Sequence, residues 1–381
     1  MTLHINEENN ITAEKLRGIP EPLLAWFAAE KRTLPWRDRP EPYRVWISEI
    51  MLQQTRVTAV LPYFKRFTEA LPTPAALAEV DDDTLMKLWE SLGYYSRARS
   101  LKKAARIIVD EFGGVVPDDF ETLLTLPGIG RYTAGAVSSI AYGKKQAAVD
   151  GNVLRVVLRF VDSEKDPLKD KTKRIVEDAL MEILPEDTGA FNQAMMELGA
   201  LVCLPKKAAH CTECPLVSQC ASYKKGTERV AELPKKAPKK ERRLEKRTVL
   251  LLEAGDAFAI AKRPDHGLLA GLWELPNLSG HLTKKDIEEL AQEEGWTMHS
   301  VKKLAPAKHI FSHIEWHMIG WHITLSEKFV KESSHAYGPS HLPKLSWENK
   351  NSLKEQFGIP TAFQYFLKWL CHNKWLIFDE K

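Results

Sequence analysis

The feature of this 381-residue chain that most constrains its fold is a change in apolar spacing across a short basic stretch. From residue 20 to 225, apolar residues recur at three- and four-residue intervals, the period of a helix with one buried face. The spacing predicts helices over Pro22–Lys31, Tyr43–Glu69, Asp83–Leu92, Arg97–Phe112, Asp118–Leu126, Tyr132–Tyr142, Val153–Val161 and Lys171–Leu184. Gly113-Gly114 and Pro127-Gly128 punctuate them. After Thr248 the pattern shortens, predicting strands at Thr248–Leu252, Ala257–Lys262, Ser300–Ala305 and His317–Leu325 and helices at Lys284–Glu294, Leu353–Phe357 and Pro360–Leu370. An all-α region followed by a separate α+β domain is therefore expected, with no internal repeat.

The intervening segment 226–247 is rich in charge and proline and poor in large apolar residues, which predicts an extended or flexible connector. Lys224 to Arg247 holds eleven Lys or Arg and four Asp or Glu, hence +7 within a chain of net +3, leaving −4 elsewhere. Such a segment attracts polyanions, although a charge run alone is commonly a solvated linker. The hydrophobic share of 44% suits a globular protein. No apolar run reaches the roughly eighteen residues of a membrane span, and the polar start Met1–Asn10 predicts no signal peptide. A cytoplasmic protein without membrane partners is expected.

Four of the five cysteines, Cys203, Cys211, Cys214 and Cys220, fall within eighteen residues with spacing C-x7-C-x2-C-x5-C. Cys371 stands apart and reads as a buried or idle thiol. In a cytosolic chain this density points to a metal rather than to disulfides. One Cys-x-x-Cys pair is not the paired-knuckle pattern of structural zinc. Four thiolates suit Zn²⁺ or a [4Fe–4S] cluster, with the spacing slightly favouring the latter.

Leu126-Pro127-Gly128-Ile129-Gly130 lies between two predicted helices. Its glycines allow a tight turn whose backbone N–H groups can meet a phosphate without reading sequence. Glu49 sits among Ile47, Ile50, Met51 and Leu52, and burial there would raise its pKa and let it act as a general acid. Asp150 precedes a helix, whose positive end is expected to keep it ionised. Singly, each is more often a surface Glu and an N-cap Asp. Together they are two carboxyls of divergent pKa, the arrangement for breaking a glycosidic bond through a cation-like state.

These motifs appear in the order of one family. Residues 20–225 resemble the endonuclease III superfamily of helix–hairpin–helix DNA glycosylases, and its MutY branch of adenine glycosylases in particular. The resemblance rests on LPWR at 34–37, SEIMLQQT at 48–55, LGYYSRAR at 92–99, LPGIGRYTAGAV at 126–137, VDGN at 149–152 and the four cysteines. It implies Glu49 as the acid that protonates adenine and Asp150 as the carboxylate that stabilises the sugar cation, with Tyr132 and Asn152 as further active-site residues. Trp36, Arg37, Val57 and Gln193 fall where the family lines its adenine pocket. Gln54, Thr55, Leu92 and Tyr94 fall where it contacts the opposite base or fills the gap left by the flipped nucleotide. The backbone grip is implied for Leu126, Gly128 and Gly130, and a [4Fe–4S] cluster for the four cysteines. The family's first cysteine interval is six, whereas here it is seven.

The superfamily's strand-cleaving members carry a lysine where this chain has Tyr132, and a phenol cannot form a Schiff base. Base removal by water is expected, with Lys144 and Lys145 able to trap a little abasic product. Downstream, Lys262-Arg263-Pro264 and Gly267–Pro276 resemble part of a Nudix fold, without its acidic metal-binding helix: Lys284–Glu289 lacks the pattern. The resemblance implies that this domain recognises oxidised guanine through Phe311, Ser312 and His313. The expected organisation is a helical catalytic region over 1–225, with a six-helix barrel near 35–142 and a cluster subdomain from 1–34 and 143–225. The connector 226–247 and a Nudix-like domain over 248–381 complete it. The expected substrate is duplex DNA with adenine opposite 8-oxoguanine or guanine, bound by a monomer. A bifunctional lyase, a non-catalytic DNA-binding module and a nucleotide hydrolase are the competing readings.

Overall fold

The computed structural model describes residues 11–237, 241–327 and 342–373, with side chains to Leu370. The polar start at 1–10, part of the connector (238–240) and the Cys371 side chain lie outside them. The described chain divides into two compact units. Of the described residues, one comprises 11–79 and 99–237, the other 80–98, 241–327 and 342–373.

The first unit is helical, as the three- and four-residue spacing predicts. The predicted Tyr43–Glu69 helix is two helices, Pro42–Leu52 and Val57–Ala70. The chain leaves helical geometry at Gln53, and Gln54 takes a left-handed φ of 58°. The predicted Tyr132–Tyr142 helix is a six-residue α-helix, Arg131–Ala136, that widens into a π-turn at Val137–Ala141. Helix Thr188–Leu201 was not expected from the sequence. One core joins Leu16, Ile19, Leu23 and Phe27 to Val153, Leu154, Val156, Val157, Leu158, Val176, Phe191, Leu198 and Leu216, with three of the clustered cysteines packed against it. The N-terminal helices therefore pack with the cysteine-bearing stretch.

The connector is more ordered than its composition suggests. It holds a helix, Thr227–Glu232, and its last residues begin a strand. In the second unit, β1 (Arg243–Ala254), β2 (Ala257–Lys262), β3 (Trp273–Glu274), β4 (Asn277–Ser279), β5 (Met298–Ile310), β6 (Ile314–Leu325) and β7 (Leu345–Asn349) form one sheet. β1 and β6 run parallel at its centre, while β5 pairs antiparallel with β6. Val249 and Leu251 face the core that includes Phe363 and Phe366, whereas Leu250 and Leu252 face Ile287 and Leu290. Helices thus cover both faces, which explains the unbroken apolar run in β1. Helix Asp82–Leu88 and the turn after it also belong to this unit, although they interrupt the helical region in sequence.

Candidate active site

The helix–hairpin–helix is built by Phe120–Thr125, the turn Leu126–Gly130 and Arg131–Ala136. Asp119 caps the first helix by accepting from Thr122 N at 2.8 Å. Gly128 has φ +81°, and a Cβ there would meet the Ser100 Cβ at 2.6 Å, so only glycine fits. Gly130 is the N-cap of the second helix. Leu126 contributes packing rather than surface: its side chain is buried, and its carbonyl accepts from Ile129 N at 3.1 Å to close the turn.

This turn delivers Tyr132 to Glu49. The Tyr132 hydroxyl donates to Glu49 Oε2 and lies 3.1 Å from Met196 Sδ. Glu49 is only 5% exposed. Burial pushes its carboxyl up to about 7, the Tyr132 hydrogen bond opposes this, and the nearby Asp150 charge adds to the rise. At neutral pH a substantial fraction of Glu49 therefore carries a proton. Removing the phenol's bond removes a lowering influence. Tyr132→Phe should move the pH limb assigned to Glu49 above about 7, measured as the single-turnover excision rate against pH.

Asp150 caps helix Gly151–Phe160: Oδ1 accepts from Asn152 N and Val153 N, both at 2.8 Å, and Oδ2 accepts from Asn152 Nδ2 at 2.7 Å. The helix end favours the carboxylate, as the sequence suggests, yet the net effect differs. Burial outweighs those three bonds and holds Asp150 above the usual aspartate range. Asn152 Oδ1 accepts in turn from Arg155 Nη2 at 2.9 Å, and Arg155 Nε reaches the Cys203 carbonyl at 2.8 Å. Gly199 lets the Thr188–Leu201 helix approach this loop, since a Cβ there would lie 2.5 Å from Asn152 Cβ. Tyr132, Asp150 and Gly151 line one cavity of about 780 Å³, within the range of small-molecule sites. Arg131, Lys173, Arg174, Lys206 and Lys236 also line it.

Among the expected adenine-pocket residues, the structure joins Arg37 and Gln193: Arg37 Nε donates to Gln193 Oε1 at 3.0 Å. Trp36 is buried edge-on to Phe64, with centroids 5.1 Å apart. Gln54 and Thr55 occupy the break between the two helices and Val57 begins the second. The sequence reading missed Glu197, a buried carboxylate held by Arg32 at 2.7 Å and Arg37 at 2.9 Å. Burial opposes its ionisation, but the hydrogen bonds from Arg32 and Arg37 prevail and hold it down at about 2. Asn192 was missed too: its Nδ2 donates to Ser139 Oγ and the Gln146 carbonyl, and its Oδ1 accepts from Ala148 N, bracing the segment before Asp150. Lys144 is ion-paired with Asp118 at 2.7 Å on the surface, and that bond raises its pKa.

Cys203, Cys211, Cys214 and Cys220 line a common cavity of about 30 Å³ with Arg159. No disulfide joins any of the four, and burial raises the pKa of the last three. Among the described residues no three metal-ligating side chains are already drawn into a coordinating arrangement. The fit to a metal group rests instead on convergence and on charge. Arg159 is 1% exposed, and its Nη1 lies 3.3 Å from Cys203 Sγ while its other bonds go to the carbonyls of Leu233, Leu204, Cys203 and Lys206. A buried cation bonded to no carboxylate among the described residues calls for a neighbouring anion, which metal-bound thiolates would supply.

In the second unit, Phe311, Ser312 and His313 form the β5–β6 turn, closed by Phe311 N donating to the Ile314 carbonyl at 2.8 Å. Phe311 packs edge-on against His309 and Trp316, while Ser312 and His313 are exposed. The Tyr94 hydroxyl lies 3.3 Å from Ser312 Oγ. Tyr94 is 45% exposed, whereas Leu92 is buried.

A helix–hairpin–helix presenting a protonatable carboxyl, a phenol and a capping aspartate defines a base-excision glycosylase. Residues 47–186 match the model of the HhH-GPD superfamily of base excision DNA repair proteins, and residues 247–369 match a NUDIX domain. The adenine DNA glycosylase of Rattus norvegicus is 36% identical over 353 residues, covering 77% of this chain and 68% of the relative. That of Buchnera aphidicola (strain Sg) is 34% identical over 348 residues, covering 91% and 96%. The helical part also resembles a thermostable thymine-DNA glycosylase structure, with a TM-score of 0.51, 29% identity and coverage of 56% of this chain and 98% of that one. The chain belongs to the adenine DNA glycosylase family, enzymes of base excision repair that hydrolyse N-glycosyl bonds. Among the described residues no helix is long and apolar enough to cross a membrane.

Proposed function

We propose that this enzyme excises adenine placed opposite 8-oxoguanine, or less efficiently opposite guanine, from duplex DNA by hydrolysis and without a lyase step. The observation that carries the mechanism is a Glu49 carboxyl near pKa 7, bonded to Tyr132 and within electrostatic reach of Asp150. With the adenosine everted against the bonded pair Glu49 and Tyr132, Glu49 gives its proton to a ring nitrogen of the base. The C1′–N9 bond then breaks and its electron pair leaves with the adenine. The carboxylate of Asp150 stabilises the cationic sugar; a developing positive charge lowers its pKa and offsets the effect of burial. Water adds to C1′ and returns its second proton to Glu49. Arg37, Gln193 and Trp36 form the base-binding wall in this reading, and Leu126, Gly128 and Gly130 build the turn that meets the phosphates.

Phe311, Ser312 and His313 serve as readers of the oxidised guanine, and Tyr94 fills the gap in the stack. The four cysteines would hold a [4Fe–4S] cluster, which supplies an anionic anchor for the 203–220 loop rather than a reacting group. Iron and inorganic sulfide should be found in equal amounts with the purified chain. Zinc without sulfide would contradict the assignment.

The test of the whole reading is single-turnover excision from four duplexes, with adenine opposite 8-oxoguanine, guanine, cytosine or thymine. The expected order places 8-oxoguanine first and guanine second, with no borohydride-trapped covalent adduct of kinetic significance. Equal rates on all four would contradict the assigned role of the C-terminal unit.

A further inference from the structure

The turn that carries Tyr94 is strained, internally braced and bonded to the C-terminal chain. Ser91 and Tyr94 both have left-handed φ, 70° and 48°, a conformation that costs a non-glycine residue energy and persists only when its surroundings enforce it. Two layers of contacts do so. Within the turn, Trp89 Nε1 donates to the Gly93 carbonyl at 3.1 Å, and Arg97 Nη2 donates to the carbonyls of Leu92 and Gly93. The Arg97 guanidinium lies 5.4 Å from the Trp89 ring and 5.5 Å from the Tyr94 ring.

The outer layer is supplied by residues more than 170 positions further along the chain. Asp83 Oδ1 accepts from Trp273 Nε1 at 2.9 Å and from Lys262 Nζ at 3.0 Å. Glu90 Oε1 accepts from Ile359 N at 3.1 Å, and its Oε2 pairs with Lys87, whose Nζ also donates to the carbonyls of Lys354 and Phe357. Asp83 and Glu90 thus stand at the two ends of the short helical stretch that leads into the turn, each held by the C-terminal chain.

We infer that Asp83 and Glu90 are positioning residues that mount the Tyr94 turn on the recognition unit, so that the unit bearing Phe311–His313 also sets the residue that enters the DNA stack. This rests on the reading of Tyr94 given above. It assigns the C-terminal unit a part in base extrusion for any mispair, beyond discrimination of the opposite base. The bonds of both anchors described above are to protein groups. Their effect passes through Tyr94, so their loss should not add to the loss of Tyr94.

The experiment uses the full chain and a duplex with 2-aminopurine beside the target adenine, whose fluorescence in stopped flow reports extrusion. The Asp83→Ala/Glu90→Ala variant should extrude about tenfold more slowly opposite both guanine and 8-oxoguanine, comparable to losing one stacking contact. Added to Tyr94→Ala, the same pair should cause no further loss. Asp83→Asn/Glu90→Gln, which keeps the accepting oxygens toward Trp273 Nε1 and Ile359 N, should recover most of the rate. Amide exchange at residues 91–95 should accelerate in the alanine pair. Unchanged extrusion and exchange in the alanine pair, or losses that multiply with Tyr94→Ala, would overturn the inference. Accelerated exchange with Tyr94→Ala extruding normally would instead overturn the reading of Tyr94, and the functional part of this inference with it.

Discussion

Glu49→Gln should reduce single-turnover excision by about 10³-fold or more while duplex binding, followed by mobility shift, stays within about threefold, because general acid catalysis contributes 10²–10⁴ and the change is nearly isosteric. The amide still offers an oxygen to the Tyr132 hydroxyl, so the site keeps its shape. It has no proton to give at neutral pH and no carboxylate to receive one from water. Burial makes the loss severe: the apolar surroundings that lift Glu49 to about 7 also exclude the solvent that would replace it. Excision within tenfold of the unaltered enzyme would remove Glu49 from the mechanism, with tenfold corresponding to about 1.4 kcal/mol of barrier.

The second large effect is expected at Asp150. Asp150→Asn should lower the rate by roughly 10²–10³, the scale seen when one preorganised electrostatic partner of a transition-state charge is removed. Asparagine is itself a good N-cap, so helix Gly151–Phe160 should survive. The side chain can still accept from Asn152 N and Val153 N through its oxygen. Its amide nitrogen then faces Asn152 Nδ2, donor against donor, where the carboxylate accepted at 2.7 Å. The loss is therefore one of charge together with a displaced Asn152. Thermal unfolding should move only slightly compared with the rate. A rate loss matched by wholesale unfolding would make Asp150 a cap and nothing more.

The parts of this site legible in the sequence are those that depend on neighbours along the chain. A glycine turn between helices, a carboxyl within an apolar helix and an aspartate before a helix each announce themselves within ten residues. What the sequence hid depends on distant contacts. Helix Thr188–Leu201 carries Asn192, which braces Ala148, Met196, which meets Tyr132, and Gln193 and Glu197, which both hold Arg37. Buried on most sides and interrupted by Gly189 and Gly199, it lacks the polar face that reveals a surface helix. The break at Gln54 went unseen because no glycine or proline marks it. Strand β1 begins inside the basic run because its first residues are charged and largely exposed, while Thr248 onward is buried. Composition reads such a half-exposed strand as linker. Nor could spacing show that residues 80–98 pack with the C-terminal chain.

The pH dependence of excision under single-turnover conditions tests the central claim most directly. In the proposed mechanism Glu49 is the protonated acid, and its pKa lies above the ordinary carboxyl value, at about 7. The rate should therefore hold below that point and fall about tenfold per pH unit above it, with the limb lost in Glu49→Gln. A rate that stays level or rises from pH 7 to 9 would show that no buried acid of this kind drives the cleavage.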